Sequence, residues 1–320
     1  MKKSQKPIPH HVHDFLDWLD IEKGLSTKSQ ENYARFLKKF LDWLHANELT
    51  ELKPHELSSD QIWHYRIFLS RQQPLKDKQP LKKSTQNYYL IALRSLLNYF
   101  ADRDIVSLPA EKIKLARDKS ERSVRFLTLD QLEKLFSAPD TVTNAGLRDY
   151  AILRVLFSTG MRVAELVALN RNQIRIKSGI KELEIGIVGK GGRSRTIYLS
   201  EGALTALEKY LRTREDDDPA LFVNYRSKGG SSRRLTSRSI EKQVKKYAIQ
   251  SGIPLTTTPH VMRHSFATDL LAQGVDLRTI QEFLGHKSIA ATQIYAHVTN
   301  KQLRDIHQKF HSDKKFKITI

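Results

Sequence analysis

Apolar residues recur at i, i+3, i+4 and i+7 in successive blocks over the first hundred positions, the spacing of helices with one buried face. Val12, Phe15, Leu16 and Leu19 form the first stripe, which Gly24 closes. Tyr33, Phe36, Leu37, Phe40, Leu41 and Leu44 form the second, with Ser26 or Thr27 as its cap. A third stripe (Ile62, Tyr65, Leu69) follows Ser58 or Ser59, and a fourth (Tyr89, Leu93, Leu96, Leu97, Phe100) follows Ser84 or Thr85. Such stripes bury against one another, so residues 1–108 are predicted to form a compact four-helix domain. The stretch 109–124 has few apolar and many charged positions and reads as a linker.

From residue 125 the pattern is mixed. LTLDQLEKLFSAP reads as a short helix after a Thr or Asp cap, and LRDYAILRVLFSTG as a buried helix stopped by Gly160. Between Glu182 and Ser200 apolar and polar positions alternate on both sides of a glycine-dense turn, a hairpin signal with its tip at Gly189–Gly192. Helices resume beyond it. The expected fold is mainly α with two domains, the second (125–320) being α+β with a small antiparallel sheet.

Composition narrows the function. The chain has 320 residues, 54 Lys+Arg against 35 Asp+Glu and a net charge of +19, the footprint of a polyanion binder. Residues 1–120 carry 21 basic against 15 acidic residues and residues 121–320 carry 33 against 20, so both halves can face a polyanion. The absence of cysteine excludes a disulfide scaffold, a thiolate zinc site and a Cys nucleophile. No apolar run approaches the roughly 20 residues of a membrane span, and none follows the basic start as a secretory signal requires. A soluble, cytoplasmic protein without a membrane partner is expected.

The candidate chemistry lies in the second half. In TGMRVAEL, Arg162 follows a glycine turn in the expected first turn of a helix, where free amides favour phosphate and a guanidinium forks two phosphate oxygens. Glu165, three residues on, can orient it, although an ordinary surface Arg–Glu pair has the same spacing. Lys190 sits at the hairpin tip among glycines that allow close backbone approach. A phosphate-cradling P-loop fails there: Glu184 stands where its first glycine belongs, and Gly191 where Ser or Thr would bind magnesium. In TTPHVMRHSFATDLL, Thr258 can cap and Pro259 suits the first helical position. His260 and Arg263 then point the same way from the first turn. His264 suggests a metal pair with His260, but no acidic residue lies between them and no Cys completes a zinc site.

Farther on, Leu277, Ile280 and Leu284 are expected inward, Gly285 ends that helix, and His286 follows directly. Ser288 can start one more short helix, which carries Tyr295. This toolkit of two Arg, one Lys, two His and a late Tyr has no Ser–His–Asp order and no metal carboxylates. Arg, Lys and His cations suit the charge of a pentacoordinate phosphorane. A phenol, with its ordinary pKa of about 10, becomes a nucleophile only beside a base or cations. Metal-free phosphodiester chemistry by a tyrosine is the reading that uses every piece.

Arg162 in TGMRVAEL, Lys190 in VGKGGRSR, His260 and Arg263 in PHVMRHSFAT, His286 in LGH and Tyr295 in TQIYAHV resemble the tyrosine recombinase (phage integrase) family in order and spacing. The segment FLDWLDIEKGLSTKSQENYARFLKKFLDWL is similar to that family's N-terminal core-binding, SAM-like domain. The size of the chain is most similar to the Xer-type members. The resemblance implies attack of Tyr295 on a DNA phosphodiester, a 3′-phosphotyrosyl link, and reversal by a partner strand's 5′-hydroxyl. The bond is swapped and not hydrolysed, so the resemblance implies no cofactor, neither ATP nor metal. It further implies that Arg162 and Arg263 clamp the non-bridging oxygens and Lys190 protonates the leaving oxygen. His260 would help move the tyrosine proton, and His286 would hydrogen-bond the phosphate.

Lys28, Arg35, Lys39, Lys82, Lys83 and Arg94, on the expected second and fourth helices, would supply groove and backbone contacts to DNA. The family closes as a C-shaped clamp around the duplex, and its tetramer passes a C-terminal helix to a neighbour. The tail 300–316, with Leu303, Ile306 and Phe310, fits a donated helix. Implied partners are a double-stranded recombination site, a homo-tetramer or a hetero-tetramer with a paralogue, and a DNA translocase as activator. The implied role is chromosome-dimer resolution, with mobile-element integration and type IB topoisomerase activity as alternatives. A metal-dependent rolling-circle nuclease also pairs a tyrosine with a His–hydrophobe–His motif, which His11–Val12–His13 matches. That motif begins an expected helix here, whereas the nuclease needs it on a strand.

Overall fold

The computed structural model describes residues 1–71, 80–116, 125–176, 179–189, 192, 194–226, 233–286 and 292. The chain divides into two compact units, Met1–Glu121 and Arg122–Ile320. Among the described residues no helix is long and apolar enough to cross a membrane.

The first unit contains helices α1 (Val12–Ile21), α2 (Thr27–Ala46), α3 (Ser59–Arg71) and α4 (Lys83–Asp102). The inward stripes meet in one core of Phe15, Leu19, Leu37, Phe40, Leu44, Tyr65, Leu69, Leu93, Leu96 and Phe100. Trp18 and Trp43 are buried with them. Ser58 caps α3 through a reciprocal pair with Gln61. α4 starts at Lys83, just ahead of the expected Ser84 or Thr85. Buried Gln86 reaches back to donate to the Leu81 carbonyl at 2.7 Å, so a side chain inside the first turn ties down the entry of this helix. The charged stretch after α4 is partly packed: Ala110 and Ile113 join the core, and Ala116 exchanges two hydrogen bonds with the Asn87 side chain.

The second unit contains α5 (Leu129–Ser137), α6 (Asn144–Thr159), α7 (Val163–Ala168), β1 (Glu182–Val188), β2 (Ser194–Ser200) and α8 (Glu201–Leu211). α9 (Ser237–Gln250), α10 (Pro259–Ala272) and α11 (Leu277–Leu284) follow. α6 is the hub, packed against α8, α10 and β2, which is why its sequence is apolar around most of its circumference. The strands pair antiparallel with Ile185 opposite Ile197 and Ile187 opposite Arg195. Alternation then sends Ile185, Ile187, Ile197 and Leu199 into the core. Thr128 caps α5, as the sequence suggests, with Gln131 completing the box.

Candidate active site

Three chain turns build the site. The first is the end of α6. Gly160 ends that helix in the left-handed conformation (φ +56°), and Arg162 becomes the N-cap of α7, one step before the expected first turn. The side chain of Glu165 satisfies this helix start. Its Oε2 accepts from the Arg162 backbone amide at 2.8 Å, and its Oε1 accepts from Arg162 Nη1 at 3.0 Å. The second is the start of α10, where Thr258 accepts from the Val261 amide and Pro259 occupies the first helical position. His260, Arg263 and His264 project from this turn and the next.

The third is the end of α11. Asp276 caps its start, Ile280 and Leu284 are buried, Leu277 is half-buried, and Gly285 (φ +62°) ends it. The two carbonyls at that end gather the two arginines. Arg263, only 2% exposed, donates from Nη2 to the Leu284 carbonyl at 2.6 Å and from Nη1 to the Gly160 carbonyl at 2.8 Å. Arg162 donates from Nη2 to the Gly285 carbonyl at 3.4 Å. His286 is the next residue, with its Nδ1 2.9 Å from the Oγ1 of buried Thr292.

The electrostatics follow from this crowding. Desolvation, with the Arg263 and Arg162 charges, pulls His286 down to about 4. Desolvation, with His260 and Arg263, brings His264 to about 4 as well. His260 is exposed, yet protein against one side of its ring, with Arg263 and Arg162, lowers it too. The rings of His260 and His264 meet edge to face at 4.3 Å. At neutral pH Arg162 and Arg263 are permanent cations, and the imidazoles of His260, His264 and His286 beside them are uncharged. That combination can neutralise a phosphate while leaving a nitrogen lone pair to take up a proton.

Of the residues singled out from sequence, Arg162, His260, Arg263 and His286 come together. Lys190 and Tyr295 lie outside the described residues, as does the tail 300–316. Three neighbours escaped the sequence reading or were undervalued by it. Glu165 is a buried bridge and not a surface partner, since both its oxygens also accept the Arg195 guanidinium, at 2.9 and 2.7 Å. Burial would raise its pKa, but hydrogen bonds and charge from Arg195 and Arg162 hold it at about 2. Arg195 and His264 are the other two.

In the first unit, Arg35 lies over the Phe36 ring at 5.0 Å, and the exposed Tyr88 of α4 stacks on the same ring at 5.6 Å. These contacts make one mixed cationic and aromatic surface across α2 and α4. Lys39 lies over Phe68 at 5.3 Å, and Lys28 is paired with Glu31 at 2.6 Å. Lys82 and Lys83 are exposed at the start of α4, and Arg94 is half-buried farther along it.

Residues 125–302 match the model of the phage integrase family, and residues 12–104 match that family's N-terminal SAM-like domain. The chain belongs to the phage integrase family, the tyrosine recombinases. It is 37% identical over 312 residues to tyrosine recombinase XerD of Listeria monocytogenes, spanning 94% of this chain and 98% of the relative. Its identity to tyrosine recombinase XerC of Pelotomaculum thermopropionicum is 35% over 314 residues, 94% of this chain and 97% of that one. The fold matches that of the XerH site-specific recombinase in a pre-cleavage complex with its difH substrate. The TM-score is 0.71 at 20% identity, with 95% of this chain and 97% of that one covered.

Proposed function

We propose that this recombinase joins two double-stranded DNA sites by transesterification through a 3′-phosphotyrosyl intermediate. The observation that carries the reading is the convergence of Arg162, Arg263, His260 and His286 at the end of α11. Arg162 and Arg263 grip the two non-bridging oxygens, each contributing roughly 2–4 kcal/mol in a dry site. The Tyr295 oxygen attacks phosphorus while the bond to the 5′-oxygen breaks. His260, uncharged at neutral pH, takes up the phenol proton, and Lys190 protonates the departing 5′-oxygen. His286 donates a hydrogen bond to the phosphate. The 5′-hydroxyl of a partner strand then displaces the tyrosine by the same steps reversed.

The likeness to relatives named XerD and XerC supports a cytoplasmic Xer-type role in chromosome-dimer resolution. In this reading four protomers, identical or shared with a paralogue, assemble on two sites, and the tail 300–316 docks on a neighbour. A DNA translocase is the expected activator. Lys28, Arg35, Lys39, Lys82, Lys83 and Arg94 contact the duplex. Incubation with fragmented genomic DNA in EDTA, followed by denaturing capture of protein-linked DNA, tests the chemistry. Wild type yields a covalent adduct whose DNA defines the site, and Tyr295→Phe yields none. A covalent adduct that persists in Tyr295→Phe overturns the assignment.

A further inference from the structure

Strand alternation places Arg195 on the inward face of β2, in register with Ile187 and on the side of Ile197 and Leu199. An arginine at a position where the neighbouring residues are aliphatic needs a reason. Its side chain is only 11% exposed, and three of its nitrogens are engaged. Nη1 and Nη2 fork the two oxygens of Glu165, and Nε donates to the Phe283 carbonyl at 3.2 Å. Gly285 lies against it, since a Cβ there would stand 2.9 Å from the Arg195 Cδ. Stability alone does not explain this burial, because apolar side chains of similar volume commonly replace buried ion pairs without loss.

The same carboxylate caps Arg162. With Arg195 occupying both oxygens edge-on, Arg162 is left a single side-chain contact to Glu165, and its side chain stays 34% exposed. Without Arg195, Glu165 is a lone buried anion whose nearest cation is Arg162. A bidentate Arg–carboxylate pair is then the strongest arrangement open to both groups. We propose that Arg195 is a positioning residue: it saturates Glu165 so that the Arg162 guanidinium is oriented toward the scissile phosphate without being neutralised by its own capping carboxylate. Arg195 also ties β2 to the end of α11 that gathers Arg162, Arg263 and His286. The inference rests on the recombinase reading above.

The test uses a nicked duplex built on a site recovered by covalent capture, and reads the rate of tyrosyl–DNA adduct formation at saturating DNA. Arg195→Met, which keeps an apolar stem on the inward face, is expected to slow adduct formation by about 100-fold, the scale of losing one aligned phosphate donor. Adding Glu165→Gln to Arg195→Met removes the competing charge and should restore the rate by about tenfold relative to Arg195→Met alone. A purely structural role predicts the opposite, a double variant as slow as the single or slower. Arg195→Lys keeps the charge but not the fork and serves if Arg195→Met melts early; it should be slowed by about tenfold. A crystal structure of Arg195→Met should show both Glu165 oxygens forked by the Arg162 guanidinium, where the wild type has one on the guanidinium and one on the Arg162 backbone amide. Wild-type rates in the variants, an unrescued double variant or an unmoved Arg162 would overturn the proposal. Absence of any wild-type adduct ends the recombinase reading and this inference with it, whereas a wild-type adduct with unaffected variants ends only this one.

Discussion

The carbonyl of Gly160 accepts a 2.8 Å hydrogen bond from Nη1 of Arg263, a residue 103 positions away on another helix. The left-handed backbone at Gly160 turns that carbonyl out of the α6 ladder and makes it available to the guanidinium. The Phe266 ring fills the space beside it, so a Cβ at Gly160 would overlap Phe266 Cδ1. Gly160→Ala therefore meets both backbone strain and a clash. It should cost about 1–3 kcal/mol, read as a lower denaturation midpoint with unchanged slope. Because the same shift moves the Arg263 anchor, adduct formation should fall even at temperatures where the variant is fully folded.

Glu165 supplies an acid-sensitive part of the stability. Its carboxyl lies at about 2 in the folded chain against an ordinary value near 4.5. The folded state thus binds its proton less readily than the unfolded state. The resulting stabilisation is complete above about pH 4.5 and is lost as pH falls through about 2. Its size is on the order of 3 kcal/mol, since a tenfold change in proton affinity is worth about 1.4 kcal/mol. Glu165→Gln should flatten the fall in stability across that window, measured by urea unfolding at a series of pH values. An unchanged pH slope would contradict the bridge between Arg162 and Arg195.

The regular elements around the site were readable from the chain because local signals agreed with the tertiary ones. Thr128 and Thr258 cap, Gly160 and Gly285 end helices, and the Ile-rich alternation marks the hairpin. Arg195 was not readable for a definite reason. Between Ser194 and Thr196, next to a basic tip, it looks like one more surface cation. Only the register opposite Ile187 turns it inward, and its partner Glu165 lies 30 positions earlier in another element. Strand parity counted from Ile197 is the signal that finds it. The start of α4 at Lys83 is hidden for a similar reason, since no side chain caps it and the tie comes from Gln86 inside the helix, not from Ser84 or Thr85.

His264 makes the second pH-dependent contribution. Folding lowers it from 6.5 to about 4, so the unfolded state takes up its proton first as the solution is acidified. The stabilisation is full above about pH 6.5 and disappears as pH falls through about 4. Allowing for the half-buried ring, about 1–2 kcal/mol is at stake. His264→Phe keeps an aromatic edge on His260 and removes the titration. Its stability should vary less than wild type between pH 6.5 and pH 4, as followed by thermal melts in matched buffers.

The surface across α2 and α4 makes a distinct prediction about salt. Taking one cation away from a DNA phosphate reduces the slope of log K against log salt by about 0.9, independent of DNA sequence. Arg35 lies over Phe36, beside the exposed Tyr88. Among the described residues its hydrogen-bond partner is the neutral Asn32, at 3.2 Å, which leaves its charge uncompensated. Lys28 is paired with Glu31 at 2.6 Å, and its charge is compensated before DNA arrives. Arg35→Ala should therefore lower the salt slope by nearly one unit, and Lys28→Ala by much less. Neither should alter the rate of adduct formation once DNA is saturating, because both residues lie in the first unit and the groups assigned to the chemistry lie in the second. Titrations by fluorescence anisotropy between low and physiological salt measure the slopes directly. Equal slopes for Arg35→Ala and wild type would remove Arg35 from the duplex contacts.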